Sequence, residues 1–475
     1  MSERLFEKVI LIAESVRKLG GRALLVGGCV RDELMGFEPK DYDVEVYGLK
    51  AEELYRVLES IFGEVKTVGA SFAVYKVDKN LDVSLPRRER KIGRGHRGFL
   101  IEGDPFMSFE EASRRRDFTM NAILKDPLNG EIIDPFHGRE DISRRIIRHI
   151  SDETFPEDSL RVLRACQFAA RFEFHVAEET VKLCQQIDLS DLPNERIWGE
   201  IEKLLLQARR PSIGLEWMKV LGVNRQLFPE LEVLVGVPQD PEWHPEGDVW
   251  THTLMVVDEA RKLIDDLEYP KKVTVMLAAL CHDLGKAVTT EFIDGRWRSL
   301  RHDEEGAKIT EKFLDKLGIF TLQGYPVKEK VVQLVKYHLK PGEFYKRREE
   351  IGDGAFRRLA QKVELELLYR VAKADSLGRN PDWLPKERRF SAEAQEWFIQ
   401  KARELQVEMS APKPILMGRH LIEIGLKPSP LFGKILNAVY QKQLDGEVKT
   451  LDEAIQEARS LIVNIEDLSF VGNSD

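Results

Sequence analysis

An α+β amino-terminal region followed by a helical remainder is the architecture this sequence predicts, and three observations predict it. Residues 1–150 carry the strand-like runs RALLVGG, DYDVEVYG, FAVYKV, LDVSL and EIIDPF among a few helical stretches. From Asp158 onward strand signals nearly vanish, and SLRVLRACQFAARF, EETVKLCQQI and RIWGEIEKLLLQ show helical periodicity. A Pro- and Trp-rich connector, VPQDPEWHPEGDVW (237–250), then reads as a loop before a new helical domain, and a further break falls near PDWLPKERRF (381–390). These breaks divide the chain into 1–150, 151–236, 237–385 and 386–475.

Length and composition agree with that division. A chain of 475 residues suits roughly three or four domains. Its 43% hydrophobic content supplies several cores. No apolar run approaches a membrane span, and MSERLFEKVILIAESVRKLGG reads as an amphipathic helix and not a signal peptide. Cys29, Cys166, Cys184 and Cys281 are scattered without metal-ligand spacing, which predicts packed thiols and a reduced, cytoplasmic setting. The net charge of −9 argues against nonspecific coating of nucleic acid. It leaves room for a local basic stretch, RRERKIGRGHR (87–97), with six Lys/Arg against one Glu, expected to be a mobile loop contacting phosphate or RNA.

The first chemistry-bearing element is LLVGGCVRDELMGFEPKDYDVEVYG. The apolar alternation around Asp43 predicts a strand, so Asp41 and Asp43 share a face. Two carboxylates on one face repel unless a cation lies between them, and hard oxygen ligands suit Mg²⁺ with substrate phosphates. The Gly27-Gly28 turn before a helical segment (Val30 to Met35) leaves backbone N–H groups to cradle a triphosphate. Asp82, in LDVSL, offers a third carboxylate that could hold a second metal or orient an attacking hydroxyl.

Downstream, RRRDFTMNA (114–122) brings Arg115 and Arg116 as phosphate donors, Asp117 as an acceptor for a ribose hydroxyl, and Asn121 one turn further on. FPEDSLRVLRACQFAARF (155–172) reads as a helix starting at Glu157-Asp158. There Asp158 and Arg161 stand at i, i+3. An acceptor beside a donor matches the Watson–Crick edges of cytosine and adenine, and mismatches guanine and uracil. The bland alternative is an ordinary intrahelical salt bridge.

A second constellation lies in HTLMVV (252–257), LAALCHDLGK (277–286), RHDEEGAK (301–308), VKYHLK (335–340) and AKADSLG (372–378). It supplies His252, His282, Asp283, His302, His338 and Asp375, each in a helical segment. Imidazoles and carboxylates from several helices suit a divalent transition metal such as Ni²⁺, Mn²⁺ or Fe²⁺, and a cation there would activate water toward a phosphoester. Lys286 could steady the phosphate. His149 and His175 are expected to be structural, and His244 has no evident partner in the connector.

The ordered motifs GGCVRD, DYD, RRRDFTMNA, DPFHGREDI, EDSLRVLR and NERIWGEIEKLL resemble those of class II tRNA nucleotidyltransferases, the CCA-adding enzyme family, over most of residues 20–230. GRHLIEIGL also fits the family's tail. The resemblance implies a polymerase-β-like head followed by helical neck, body and tail, and the use of tRNA, CTP and ATP with Mg²⁺. It implies metal binding at Asp41 and Asp43, with Asp82 at a further acidic position. Nucleotide contacts are implied from Gly28, Arg31, Arg115, Arg116, Asp117, Asn121 and Arg164, and base selection by Asp158 and Arg161. Residues 87–107 occupy the place of the family's flexible loop. Gln167, His420 and Ser429 depart from the family pattern, where Arg, Asp and Gly are usual. The histidine set resembles HD-superfamily phosphohydrolases, which implies hydrolysis of 2′,3′-cyclic phosphates, 2′-nucleotides or related esters and a role in tRNA end repair. Three other readings stay open: an enzyme adding only A or only CC, a poly(A) polymerase, and an HD hydrolase whose head merely binds RNA.

Overall fold

The computed structural model describes residues 2–67, 74–91 and 99–471. The chain divides into two compact units, Met1–Glu232 and Val233–Asp475. The first holds a seven-stranded sheet. Its strands are β1 (Arg22–Val26), β2 (Tyr42–Tyr47), β3 (Lys66–Thr67), β4 (Val74–Asp78), β5 (Leu81–Ser84), β8 (Leu124–Lys125) and β9 (Ile132–Ile133). They lie in the order β3-β4-β5-β2-β1-β8-β9. Between β5 and β8 in the chain, β6 (Arg87–Lys91) and β7 (Phe99–Gly103) pair as a separate antiparallel ribbon. Part of the expected basic loop is therefore strand, and residues 92–98 lie outside the described residues.

Alternation along the central strands sorts the chemistry from the packing. Leu25, Val44, Val46 and Val83 face a core completed by Val9, Ile12 and Val16 of the helix Ser2–Lys18 and by Leu54 and Leu58 of the helix Ala51–Phe62. Leu24, Val26 and Tyr47 face a smaller cluster with Met107, Ala112 and Leu124. Asp43 and Glu45 alternate with Val44 and Val46, so they lie on that second side. The helix Gly28–Leu34 follows β1 directly and carries Arg31.

The rest of this unit is mainly helical. Leu160–Phe172 packs against Asn194–Gln207 and Pro211–Val220. Strands nearly vanish here as expected; the exception is β11 (His175–Val176), which pairs in parallel with β10 (Ile146–Ile147). Runs of two residues are too short to leave a periodic trace.

In the second unit, the helix Tyr269–Cys281 is buried along most of its length, from Val273 to Cys281. Helices Val249–Lys262, Val327–Tyr337 and Leu365–Leu377 pack around it, and His302–Leu317 packs against Val327–Tyr337. One hairpin, β12 (Thr290–Ile293) with β13 (Arg296–Ser299), interrupts the helices, against expectation. Its strands are largely exposed and carry charges, so they lack the apolar alternation that marks a half-buried strand. The carboxy-terminal helices Gly418–Glu423, Pro430–Asp445 and Leu451–Val471 share a small core of Leu416, Leu421, Ile435, Val439 and Ala454. All four cysteines are buried and free, as expected. Among the described residues no helix is long and apolar enough to cross a membrane.

Candidate functional sites

The head site is built where β2 meets β5 in parallel register, with Asp43 directly opposite Asp82. Asp41 sits in the bend that leads into β2. Desolvation, together with the charges of Asp82, Asp41 and Glu45, raises the pKa of Asp43 against the pull of Arg116. Asp82 meets Lys76 at 3.6 Å, and its Oδ1 is buried with no hydrogen-bond partner among the described residues. Crowded carboxylates with an orphaned buried oxygen are a donor set that fits a hard divalent cation such as Mg²⁺.

The glycine turn closes onto this group. Gly27 has φ 72°, and a Cβ there would stand 2.9 Å from Arg116 Nη1 and 3.9 Å from Asp43 Oδ2. Only glycine satisfies both the left-handed backbone and the close guanidinium. A residue that sequence reasoning missed, Glu45, anchors the arginines. It is buried, accepts from Arg115 Nη2 at 3.1 Å and from Tyr47 Oη at 2.5 Å, and stands 3.9 Å from Arg116 Nη2. The signal was present: in DYDVEVY, the period of two that pairs Asp41 with Asp43 also includes Glu45.

Four expected nucleotide contacts form one hydrogen-bonded chain. Arg31 Nη1 donates to Asn121 Oδ1 (2.7 Å), Asn121 Nδ2 to Asp117 Oδ1 (2.9 Å), and Arg164 Nε to Asp117 Oδ2 (2.7 Å). Arg31 also lies over the rings of Phe168 and Phe172. Burial alone would push the Asp117 carboxyl up, but Arg164 and Asn121 hold it below its ordinary value.

The expected Asp158–Arg161 pairing is corrected. The helix begins at Leu160, so Asp158 precedes it in extended conformation and is not at i, i+3 on a helix face with Arg161. Asp158 instead accepts two bonds from Arg196 (3.1 and 3.0 Å), while Arg161 donates to the carbonyls of Thr154 and Arg115 at 2.7 and 2.6 Å. Arg196, inside the quoted motif NERIWGEIEKLL, was not singled out from the sequence. Among the departures from the family pattern, Gln167 is buried, and His420 accepts from the Met417 N–H and Arg419 Nε. His149 is held by Thr180 and Asp152.

The second site gathers all six expected residues. Only His252 and Asp375 lie within helices; His282 and His338 end theirs, His302 begins one, and Asp283 lies in the turn after His282. His282, His302 and His338 each donate Nδ1–H to the carbonyl three residues back, at 2.8, 2.7 and 2.6 Å. A carbonyl can only accept, so the proton is on Nδ1 and the Nε2 lone pair points inward. His252 Nδ1 faces Glu246 Oε1 at 2.7 Å.

The Nε2 atoms meet in two pairs, His252–His282 and His302–His338, each at 3.3 Å. Asp283 spans both: Oδ2 lies 3.2 Å from His282 Nε2 and Oδ1 3.5 Å from His302 Nε2. Asp375 Oδ1 approaches His252 at 3.0 Å. Burial, with His302 and His282 nearby, pushes the His338 pKa down to about 3, the neutral form a ligand needs. Burial opposes the charge of Asp283, yet His282 and Lys286 hold its carboxyl well below the usual range. Converging imidazole nitrogens and carboxylates fit a divalent transition metal. His244, expected to lack a partner, bonds Glu246 at 2.9 Å and sets its ring edge against His252. Glu246 itself, overlooked in the connector, serves two histidines.

A carboxylate-lined sheet with a glycine turn, joined in one chain to a helical histidine–aspartate cluster, defines a nucleotidyltransferase head with an HD domain. Family models agree: residues 23–148 match the poly A polymerase head domain, 173–234 the probable RNA- and SrmB-binding site of polymerase A, and 249–380 the HD domain. The multifunctional CCA proteins of Actinobacillus pleuropneumoniae serotypes 5b and 7 are each 38% identical over 322 residues, which is 66% of this chain and 74% of theirs. The chain belongs to that family, the HD-bearing class II tRNA nucleotidyltransferases. Its fold matches the Bacillus stearothermophilus CCA-adding enzyme in complex with CTP (TM-score 0.63, 23% identity, 97% of this chain and 98% of that one). It also matches the Thermotoga maritima CCA-adding enzyme complexed with tRNA (TM-score 0.59, 19% identity, 96% and 95%).

Proposed function

We propose that the head adds the 3′-terminal CCA of tRNA, transferring CMP and AMP from CTP and ATP to the 3′ hydroxyl and releasing pyrophosphate. The registration of Asp43 with Asp82, under the Gly27 turn, carries this reading. Asp41, Asp43 and Asp82 hold Mg²⁺, which supplies neutralisation of the phosphates and of the developing charge. Arg115 and Arg116, fixed by Glu45, orient the triphosphate. Arg31, Asn121, Asp117 and Arg164 hold the ribose edge. Asp158 and Arg161 select C and A, and Arg196 positions Asp158. The head spans 1–150, the base-selecting neck 151–236, the HD domain 237–385 and the tail 386–475, and the enzyme acts in the cytoplasm.

We further propose that the HD cluster is a phosphohydrolase acting on RNA-end phosphoesters before CCA addition. The two Nε2 pairs bridged by Asp283 support room for two cations, of which Ni²⁺ and Mn²⁺ are the favoured kinds. The head reading is tested with purified protein and tRNA transcripts ending before CCA, after C and after CC, each incubated with Mg²⁺ and labelled CTP or ATP. Extension of all of them to CCA is expected; extension of only the CC-ended transcript makes this an A-adding enzyme. The HD reading is tested with 2′,3′-cyclic AMP and added Ni²⁺ or Mn²⁺, and fails if His282→Ala hydrolyses it as fast as the wild type.

A further inference from the structure

The HD cluster forms the floor of a cavity of about 530 Å³ whose walls carry two indoles, Trp243 and Trp297, and the cations Lys286, Lys346 and Arg379. Such a volume suits a small-molecule ligand. Trp243 is 51% exposed and Trp297 37% exposed. One exposed aromatic is unremarkable on a protein surface. Two on the wall of a single cavity, above convergent metal-ligating groups, call for an occupant with a flat face.

The Trp297 ring and the main chain at Trp243 are held by the surrounding structure. Trp297, on β13, meets Phe292 edge-on at 5.1 Å. The Trp243 backbone N–H donates to the Asp240 carbonyl at 3.1 Å, which fixes the main chain that carries the second indole. Arg296 ties the hairpin to the connector through Glu242 at 2.9 Å, and Lys286 ties the connector to the cluster, donating to Gln239 at 2.8 Å and meeting Asp283 at 2.8 Å. Asp240, Asp283, Glu343 and Asp375 line the cavity against those three cations, so the protein gives it no excess positive charge and it suits one phosphate better than three.

Resting on the phosphohydrolase reading above, we propose that Trp243 and Trp297 form a nucleobase-stacking subsite, which makes the HD site select a phosphoester borne by a nucleoside over a bare one. The step is a simple hydrolysis. Water oxygen forms one P–O bond, one ring P–O bond of a 2′,3′-cyclic phosphate breaks, the departing ribose oxygen takes up the proton, and the phosphate stays on its neighbour.

The experiment compares 2′,3′-cyclic AMP with glycerol 1,2-cyclic phosphate, which carries the same reacting ring without a base, on the Ni²⁺-loaded full chain. Trp243→Ala and Trp297→Ala are expected to raise KM for the cyclic nucleotide about ten- to a hundredfold, with kcat and both constants for the glycerol ester unchanged, and Trp243→Phe to restore much of the loss. Equal loss on both substrates, or no change on either, overturns the subsite. If the wild type hydrolyses neither substrate, the phosphohydrolase reading falls, and tryptophan fluorescence then decides the subsite. Quenching by 2′,3′-cyclic AMP that is lost in the two alanine variants upholds it, and absence of quenching overturns it.

Discussion

Asp43 and Asp82 stand opposite each other across two parallel strands, although 39 positions of chain separate them. The pairing makes the head site a property of the sheet, since a slip of one residue would turn either carboxylate to the apolar face. Asp43→Asn and Asp82→Asn are each expected to lower nucleotide transfer about a hundredfold or more, with HD hydrolysis of 2′,3′-cyclic AMP unchanged. Single-turnover transfer assays would show this, and wild-type rates in Asp82→Asn would remove that residue from the site.

Arg196 grips Asp158 with two bonds, and if Asp158 selects bases as proposed, its arrangement depends on that grip. Arg196→Ala is expected to reduce discrimination of CTP over UTP by about tenfold, the worth of one hydrogen-bonded charge contact. The kcat/KM ratio for the two nucleotides is the measurement. An unchanged ratio with uniformly lower rates would assign Arg196 to folding instead.

Glu246 Oε1 lies 2.7 Å from His252 Nδ1, on the side away from the cluster. Carboxylates in that position fix the ring and strengthen the ligand, and their loss costs about ten- to a hundredfold in metal affinity. Glu246→Gln should show that drop in Ni²⁺ or Mn²⁺ titration calorimetry while the fold persists by circular dichroism. Unaltered affinity would leave Glu246 a packing residue.

The Asp117 carboxyl is held below its ordinary pKa by Arg164 and Asn121 in spite of burial. A depressed carboxylate contributes stability above its unfolded value of about 3.9, and that contribution drains away as pH falls through the lower folded value. Wild type should therefore exceed Asp117→Asn in urea midpoint at about pH 7 and pH 5, with the gap narrowing below about pH 4. A gap that is constant with pH would contradict the pairing.

Gly285 lies where a Cβ would stand 2.0 Å from the His302 carbonyl oxygen and 2.6 Å from Gly306 N. Both contacts are backbone and cannot swing aside. Gly285→Ala should destabilise the second unit by about 1–3 kcal/mol and abolish HD hydrolysis. Thermal unfolding at wild-type midpoint would refute the close approach.

The residues of both proposed sites were legible because each sits in a dense local motif whose residue types have few other uses. DYD and the His-Asp pair announce cations, and the alternation of apolar residues assigns Asp43 and Asp82 to strands. What stayed hidden depends on distance or on irregular backbone. Arg196 lies 38 residues from the carboxylate it holds. Asp158 escaped its expected partner because the helix starts two residues later than the acidic pair suggests. Glu246 stands in a loop with no periodicity to mark it, and β12 and β13 expose the charged side chains that hide a strand from pattern reading.

His282 and His338 each occupy the residue just past a helix end and bond back to a carbonyl of the last turn. Helix length is thereby coupled to ligand direction. Each added residue advances the end of a helix by about 100° and 1.5 Å, so an insertion or deletion inside either helix would swing its imidazole out of the cluster while leaving the apolar packing open to readjustment. The HD unit is accordingly a scaffold that tolerates substitution far better than change of length, and swapping whole helices between relatives should preserve its metal site only when their lengths match.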